Sequence, residues 1–472
     1  MPEQPLKQLS PTPARQHPAL ILHTLAVAIA VTAAVLWSIS GDHSLSILQI
    51  DGLTVIVWVF SSIITAVIAG YSRRYIDPID GRERFLVRMF AFLLTVWIFV
   101  AADHLALLVG AWVSMVWLML GFIRHDPTWG IAKRSHRYVW RWFAIAAVGI
   151  IVSTSVLWWG DVTHLSALDS SHMTIAEPVA WIIATGVILT AVIQGGLFPM
   201  QRWLAVSMSA PTPASALMHA GFVNAGAVII IRMAPVLDHV GWALPMLAVL
   251  GAIAAIMGGL FQQVTVDRKL QLAGSTSSQM GFMLLQLGLG LATAAVAHLI
   301  LHGWYKAARF LSIGDLDWLE RESEGQSEPR MRVIFLAVLL GTTLFVLLTR
   351  KLLTGATGWL LVAFVVVMIA RGALTLERRP IPSVPRAGMV LGATGIGIGG
   401  YGIIYRIIDP AITSAAAGVD PVAVGPIHIA ILAGFVVAGG ATQLGIGRSS
   451  RRVYVWLVDQ LQVPPDIWGA KQ

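Results

Sequence analysis

Apolar stretches of roughly 18 residues or more, each long enough to cross a ~30 Å hydrocarbon core as a helix, recur along nearly the whole chain. They predict about fourteen spans, at 19–39, 47–70, 85–102, 105–124, 140–158, 179–198, 211–232, 243–263, 272–290, 292–313, 332–350, 356–374, 388–408 and 426–446. The third and fourth are nearly continuous, as are the ninth and tenth. The fold class is therefore an all-α polytopic membrane protein. Residues 1–18 form a polar N-terminal segment, 19–446 the transmembrane domain and 447–472 a C-terminal tail.

The distribution of basic residues orients the spans. With the N-terminus inside, cytoplasmic loops hold Arg73, Arg74, Arg82, Arg84, Lys133, Arg134, Arg137, Arg268, Lys269, Arg378, Arg379, Arg386, Arg448, Arg451 and Arg452. The outward loops 40–46, 159–178, 233–242 and 409–425 contain no Lys or Arg. Arg232, Arg350, Lys351 and Arg406 are the exceptions. An even number of spans with both termini cytoplasmic fits this alternation, in the inner membrane of a bacterium.

Composition removes several function classes. Hydrophobic residues make up 57% of the chain and charged residues only 12%, where a soluble domain carries about 25% charged residues. A soluble enzyme and a nucleic-acid-binding module are excluded, and the net charge of +8 reads as the basic excess of cytoplasmic loops. There is no cysteine, which excludes disulfides, thiolate-ligated iron–sulfur clusters and thiolate zinc sites. The N-terminus carries Pro2, Pro5, Pro11, Pro13 and Pro18 and lacks the pattern of a cleaved signal peptide.

Ionisable residues inside spans are costly and therefore informative. His298, His302 and Lys306 are spaced by four and followed by Arg309, so they form a stripe on one helix face. Groups stacked in this way suit a proton relay through intervening waters, since histidine titrates near neutrality. The plainer reading has each hydrogen-bonding a neighbouring helix. A zinc site on His298 and His302 lacks a third ligand. Pro199, Pro211 and Pro213 predict a broken helix around 199–213, and His219 follows it, serving either packing or the pathway.

Other features have plainer readings. Asp267, Arg268 and Lys269 read as a loop anchor on composition, and Asp51, Asp103 and His104 as interfacial residues at span edges. The loop 159–178 bears Asp161, His164, Asp169, His172 and Glu177, a spacing that reads as a solvated loop rather than a metal site. The glycine run 395–400 predicts close helix packing, not a nucleotide loop. The segment from Gly314 to Arg330 is charged, and the tail 453–469 is apolar enough to dock on a partner or lie at the interface.

Two segments carry a family resemblance: Pro199 with Trp203-Leu204, and Ala210-Pro211-Thr212-Pro213-Ala214-Ser215-Ala216-Leu217-Met218-His219. They resemble the signature of the antiporter-like membrane subunits, found in respiratory complex I as subunit L and in Mrp-type sodium/proton antiporters. The match continues through Asp267, Lys269, 275–281, His298, His302 and Lys306, with Asp51-Gly52-Leu53 and Asp103-His104-Leu105 upstream, and covers roughly 47–313. The resemblance implies an ion pathway of Lys269, His298, His302, Lys306 and His219, with Asp267, Gln194, Arg309 and Asp103 as accessory candidates. It also implies broken helices within an antiporter-like bundle.

The departures point to a divergent branch. Trp112-Val113 stands where the family has Trp-Glu, and its partner lysine aligns with Gln194. Losing both charges together is physically consistent, because either alone would be buried without compensation. The family's later lysine-bearing broken helix has only Lys351 as a weak counterpart. A divergent branch of similar proteins forms the membrane subunit of DAB-type inorganic-carbon accumulation complexes, beside a soluble protein resembling a zinc β-carbonic anhydrase. The resemblance thus implies a cation-conducting, non-enzymatic subunit that energises conversion of CO2 to bicarbonate. The zinc would lie in the partner, with no cofactor in this chain. The alternatives are a Mrp-type or complex I-related subunit, and a non-conducting membrane anchor for a soluble partner.

Overall fold

The computed structural model describes residues 18–76, 81–168, 175–313, 328–350, 355–378, 383–413, 415, 424–443, 450–464 and 467. The N-terminal segment, Asp169 and His172, the charged stretch 314–327, Lys351, Arg379, Arg448 and the end of the tail lie outside these residues.

Helix α1 (Pro18–Ser40) is followed by a small antiparallel hairpin of β1 (His43–Leu45) and β2 (Leu48–Ile50). Because residues 48–50 pair in that hairpin, the second span starts at Gly52 rather than 47. Asp51 caps α2 (Gly52–Tyr75) by accepting the Thr54 amide at 2.9 Å. Helices α3 (Arg82–Ala101) and α4 (Leu105–Ile123) follow, joined by a short connection at Ala102–His104. Helix α5 (Gly130–Trp159) begins well before the predicted 140, since its polar first turns, with Lys133, Arg134 and Arg137, continue the helix beyond the apolar window.

After α6 (Glu177–Gln194) the chain turns through α7 (Arg202–Val206) into a discontinuous span. That span is α8 (Thr212–Ala220), a 3-10 turn at Phe222–Asn224 and α9 (Ala225–Arg232). Pro211 and Pro213 open α8, where missing amides cost nothing. Helix α10 (Ala234–His239) leads to α11 (Ala243–Val264), α12 (Arg268–Gly288) and α13 (Ala292–Leu311). The remaining helices are α14 (Met331–Leu348), α15 (Ala356–Glu377), α16 (Ser383–Ile412), α17 (Pro426–Gln443) and α18 (Arg451–Leu461).

The protein is thus an all-α, multi-span bundle. A helix occupies each apolar window, but among the described residues eleven spans are long and apolar enough to cross a membrane. Helices α12 and α13 fall outside that set, and α17 supplies only a shorter apolar stretch, Pro426–Gly440. The discontinuous span 212–232 is the most deeply buried of the eleven.

Two close approaches hold the centre together. Gly251 and Gly258 of α11 face Gly281 and Gly274 of α12, and Gly288 of α12 lies against Ala248, so that a Cβ on Gly281 would sit 2.5 Å from the Ala255 amide nitrogen. On α13, Gly303 lies against the Ala220 carbonyl, which a Cβ there would approach to 2.9 Å. This brings α13 against the end of α8. The glycine run on α16 behaves otherwise: Gly395, Gly397 and Gly400 face open space, and the close contact expected there occurs only at Gly402, against Leu348.

Basic residues gather at one end, here termed the basic end. There Glu377 is fully buried and paired with Arg330 at 2.9 Å and Arg386 at 3.7 Å, tying α14, α15 and α16 together. The tail also docks at this end, on its own chain. Leu457 and Leu461 bury against Phe261, Val264 and Ala205, Arg202 pairs with Asp459 at 2.9 Å, and the Arg134 Nε donates to the Ile467 carbonyl at 2.6 Å. This amphipathic helix spends its buried face on α11 and α7 while Val453, Val455 and Trp456 stay exposed.

Candidate functional site

The break in the α8–α9 span leaves carbonyls that side chains satisfy. Asn224 Nδ2 donates to Ala220 O at 2.8 Å, and Gln194 Nε2 donates to Phe222 O at 2.6 Å. His219, in the last turn of α8, is fully buried and stacks on Phe310 of α13 at 4.6 Å. Its Nδ1 lies 2.8 Å from Thr276 Oγ1 on α12, and Thr276 donates to Leu272 O at 2.9 Å. With the Thr276 hydroxyl proton on Leu272 O, His219 Nδ1 is the donor to Thr276. His219 Nε2 has no protein partner.

The same Leu272 carbonyl accepts Lys306 Nζ from α13 at 2.8 Å. Lys306 is completely buried, and among the described residues it makes no ion pair with a carboxylate. One turn along α13, His302 is 5% exposed and its Nε2 has no protein partner. His298 follows, its ring 6.0 Å from that of His302 and 5.6 Å from Phe282. His219, Thr276, Leu272, Lys306, His302 and His298 thus form one buried polar ladder built on α8, α12 and α13. Along it, the Nε2 atoms of His219 and His302 have no protein partner.

Lys269 stands below the ladder at the basic end. Half-buried, it donates to Ala210 O at 3.2 Å and to Met208 O at 3.4 Å, the carbonyls just ahead of Pro211. Asp267 is exposed and caps α12 by accepting the Leu270 amide at 2.9 Å, so its side chain is occupied by the backbone. Arg309 lines a polar cleft of about 110 Å³ at the same end, with Gln262, Arg268, Gln271, Ser275 and Tyr305. The cleft reaches Leu272, the residue whose carbonyl holds Lys306.

Two accessory candidates lie away from the ladder. Asp103, at the opposite end, accepts the Ser166 amide at 2.7 Å and the Ser166 hydroxyl at 2.8 Å, clasping the α5–α6 loop. His164 in that loop packs edge-on against His104 at 4.9 Å. Among the described residues no three His, Asp or Glu side chains converge on a metal position. Gln194 accepts Trp112 Nε1 at 3.2 Å while Val113 is 43% exposed. The side chain turned toward Gln194 is thus Trp112, and the position aligned with the family glutamate points away.

One site escaped the sequence reading. Asp51, 0% exposed, pairs with Arg232 of α9, which also donates to Thr54 Oγ1 at 2.9 Å and Val100 O at 2.7 Å. Asp51 is a buried partner rather than an interfacial residue, because the hairpin and α9 close over it. The available signal was the coincidence of an acid and an unpatterned arginine at the same end of two spans.

Residues 102–326, which contain this ladder, match the family model of the NADH:quinone oxidoreductase/Mrp antiporter transmembrane domain. The chain carries an antiporter-like membrane domain. It is similar to a "Probable inorganic carbon transporter subunit DabB1" of Halothiobacillus neapolitanus, at 34% identity over 66% of this chain and 58% of that protein. It is also similar to NADH-quinone oxidoreductase subunit L of Mycobacterium tuberculosis, at 31% identity over 57% of this chain and 43% of that one. The chain therefore spans less than two thirds of the length of these relatives. In fold it resembles a chain of the Mrp complex from Dietzia sp. DQ12-45-1b, with a TM-score of 0.67, 19% identity, and coverage of 97% of this chain and 56% of that chain.

Proposed function

We propose that this chain is the cation-conducting membrane subunit of an inorganic-carbon uptake complex, with protons as the moving ion. The observation that carries the reading is Lys306, buried without a carboxylate partner among the described residues and sharing the Leu272 carbonyl with the Thr276–His219 pair. A lysine fixed by an acid would serve as an anchor, whereas one held by a carbonyl beside two imidazoles is arranged to pass protons. With the basic end in the cytoplasm, protons reach the ladder from the cleft at Arg268 and Arg309 and from Lys269 beneath Ala210. The names of relatives that are 33% and 34% identical to this chain over 66% of its length support inorganic carbon as the cargo of the assembly.

The chemistry on carbon then belongs to a soluble partner at the cytoplasmic face, a zinc protein of the carbonic anhydrase type that hydrates CO2 to bicarbonate. Proton flow through the membrane subunit drives that reaction one way. The test is Lys306→Met in cells that depend on this complex for growth in air. Loss of carbon accumulation, with the variant still purifying beside a zinc-bearing partner, is the expected result. Unchanged accumulation overturns conduction along the ladder, and a purified wild-type complex without a zinc partner overturns the carbon reading.

A further inference from the structure

We infer that the conduction path leaves the membrane along Tyr401, Tyr405 and Asp409 of α16, with Asp409 as the acid at the outlet. The inference rests on the proposed conduction through Lys306, His302 and His298 and supplies its missing outward limb. These three residues repeat on α16 the spacing of four found in the α13 stripe, so they share one helix face. That face is turned to α13. The Tyr401 hydroxyl donates to Ala294 O at 3.4 Å, one helical turn, roughly 6 Å of rise, beyond His298. Beside Tyr401 lies Gln286 of α12, 2% exposed, whose Oε1 has no protein partner.

Farther along, the buried Tyr405 hydroxyl donates to Asp409 Oδ1 at 3.1 Å, and Thr293 Oγ1 donates to the same oxygen at 3.1 Å. A hydroxyl both donates and accepts, so each tyrosine takes a proton on one side as it releases one on the other. A proton leaving the His298 ring passes through water and the two hydroxyls to the Asp409 carboxylate, which gives it to the outer solution. Only N–H and O–H bonds change.

The contrast with Asp51 identifies which carboxylate acts. The two acids lie at the same end of the bundle, where the Ala411 carbonyl of α16 meets Gly52 of α2. Asp51 is sealed by Arg232. Asp409 is half-buried, receives only hydroxyl donors and makes no ion pair among the described residues; the nearby Arg406 directs its Nε to Leu348 O at 2.9 Å. A carboxylate locked to a guanidinium cannot cycle through its protonated form, whereas one held by hydroxyls can.

The experiment measures proton flux with a pH-sensitive dye in proteoliposomes holding the full complex, for wild type, Lys306→Met, Asp409→Asn, Asp409→Glu and Tyr405→Phe. Asp409→Asn and Tyr405→Phe should each lower flux by about tenfold or more, and Asp409→Glu should restore most of it. In Asp409→Asn the residual flux should lose its dependence on outer pH while keeping its dependence on inner pH, a signature that a merely structural aspartate would not give. If Lys306→Met blocks flux but Asp409→Asn and Tyr405→Phe conduct as wild type, the outlet is elsewhere and this inference falls. If Lys306→Met itself conducts, the ladder reading fails and the outlet with it.

Discussion

Two polar sites flank the broken span 212–232, and they bury polar groups to opposite ends. At Gln194 every bond is neutral and committed: Trp112 Nε1 donates to its Oε1, and its Nε2 donates to Phe222 O. Phe143, Trp203 and Phe222 pack around this contact ring against ring, with centroids 4.9 to 6.2 Å apart. At Lys306 the groups titrate, and both His219 and His302 keep a nitrogen without a protein partner. The first site joins α4, α6 and the break; the second has the chemistry to carry protons through it. Where a glutamate and lysine would give the family a second titratable site, this chain holds a hydrogen-bonded plug.

That difference is open to direct attack. The largest effect is expected at the ladder, where Lys306→Met should lower proton flux by about 100-fold or more, as loss of a positioned proton carrier does, while thermal unfolding in detergent stays near wild type. Arg232→Met should act in the reverse sense. It strands the buried Asp51 carboxylate and should cost about 3–5 kcal/mol in an unfolding assay, so the complex melts early or fails to assemble. Gln194→Leu should cost less, about 1–3 kcal/mol for the unpaired Phe222 carbonyl and Trp112 indole, with flux per folded molecule unchanged. A flux defect in Gln194→Leu would mean that the plug conducts. The smallest effect is expected at the tail, where Asp459→Ala removes a half-exposed ion pair to Arg202 worth about 0.5 kcal/mol. Its check is proteolysis of the tail at rising salt.

Much of the fold was legible because length and apolarity alone define a spanning helix. The windows at 272–290 and 292–313 were found even though α12 and α13 carry polar side chains, and the same polarity keeps them out of a purely apolar census. Ends were less legible. Helix α5 runs on through a basic stretch that reads as loop, and the 43–50 hairpin hides within an apolar run.

The i, i+4 stripe of α13 could be read from spacing, since it lies on one helix. The partners of that stripe could not: Leu272 O is a backbone atom, and the Thr276–His219 bond joins residues 57 positions apart. The Asp51–Arg232 pair bridges 181 positions and leaves no periodic trace. Asp267 offered a capping signal, an acid directly before a helix, that the loop reading passed over.

The measurement that bears most directly on conduction along α12 and α13 is proton flux through the purified complex in proteoliposomes, comparing Lys306→Met with Gln194→Leu at equal folded content. Flux should disappear in Lys306→Met and persist in Gln194→Leu. Persistent flux in Lys306→Met, or its loss in Gln194→Leu, would contradict the assignment of the path to α12 and α13.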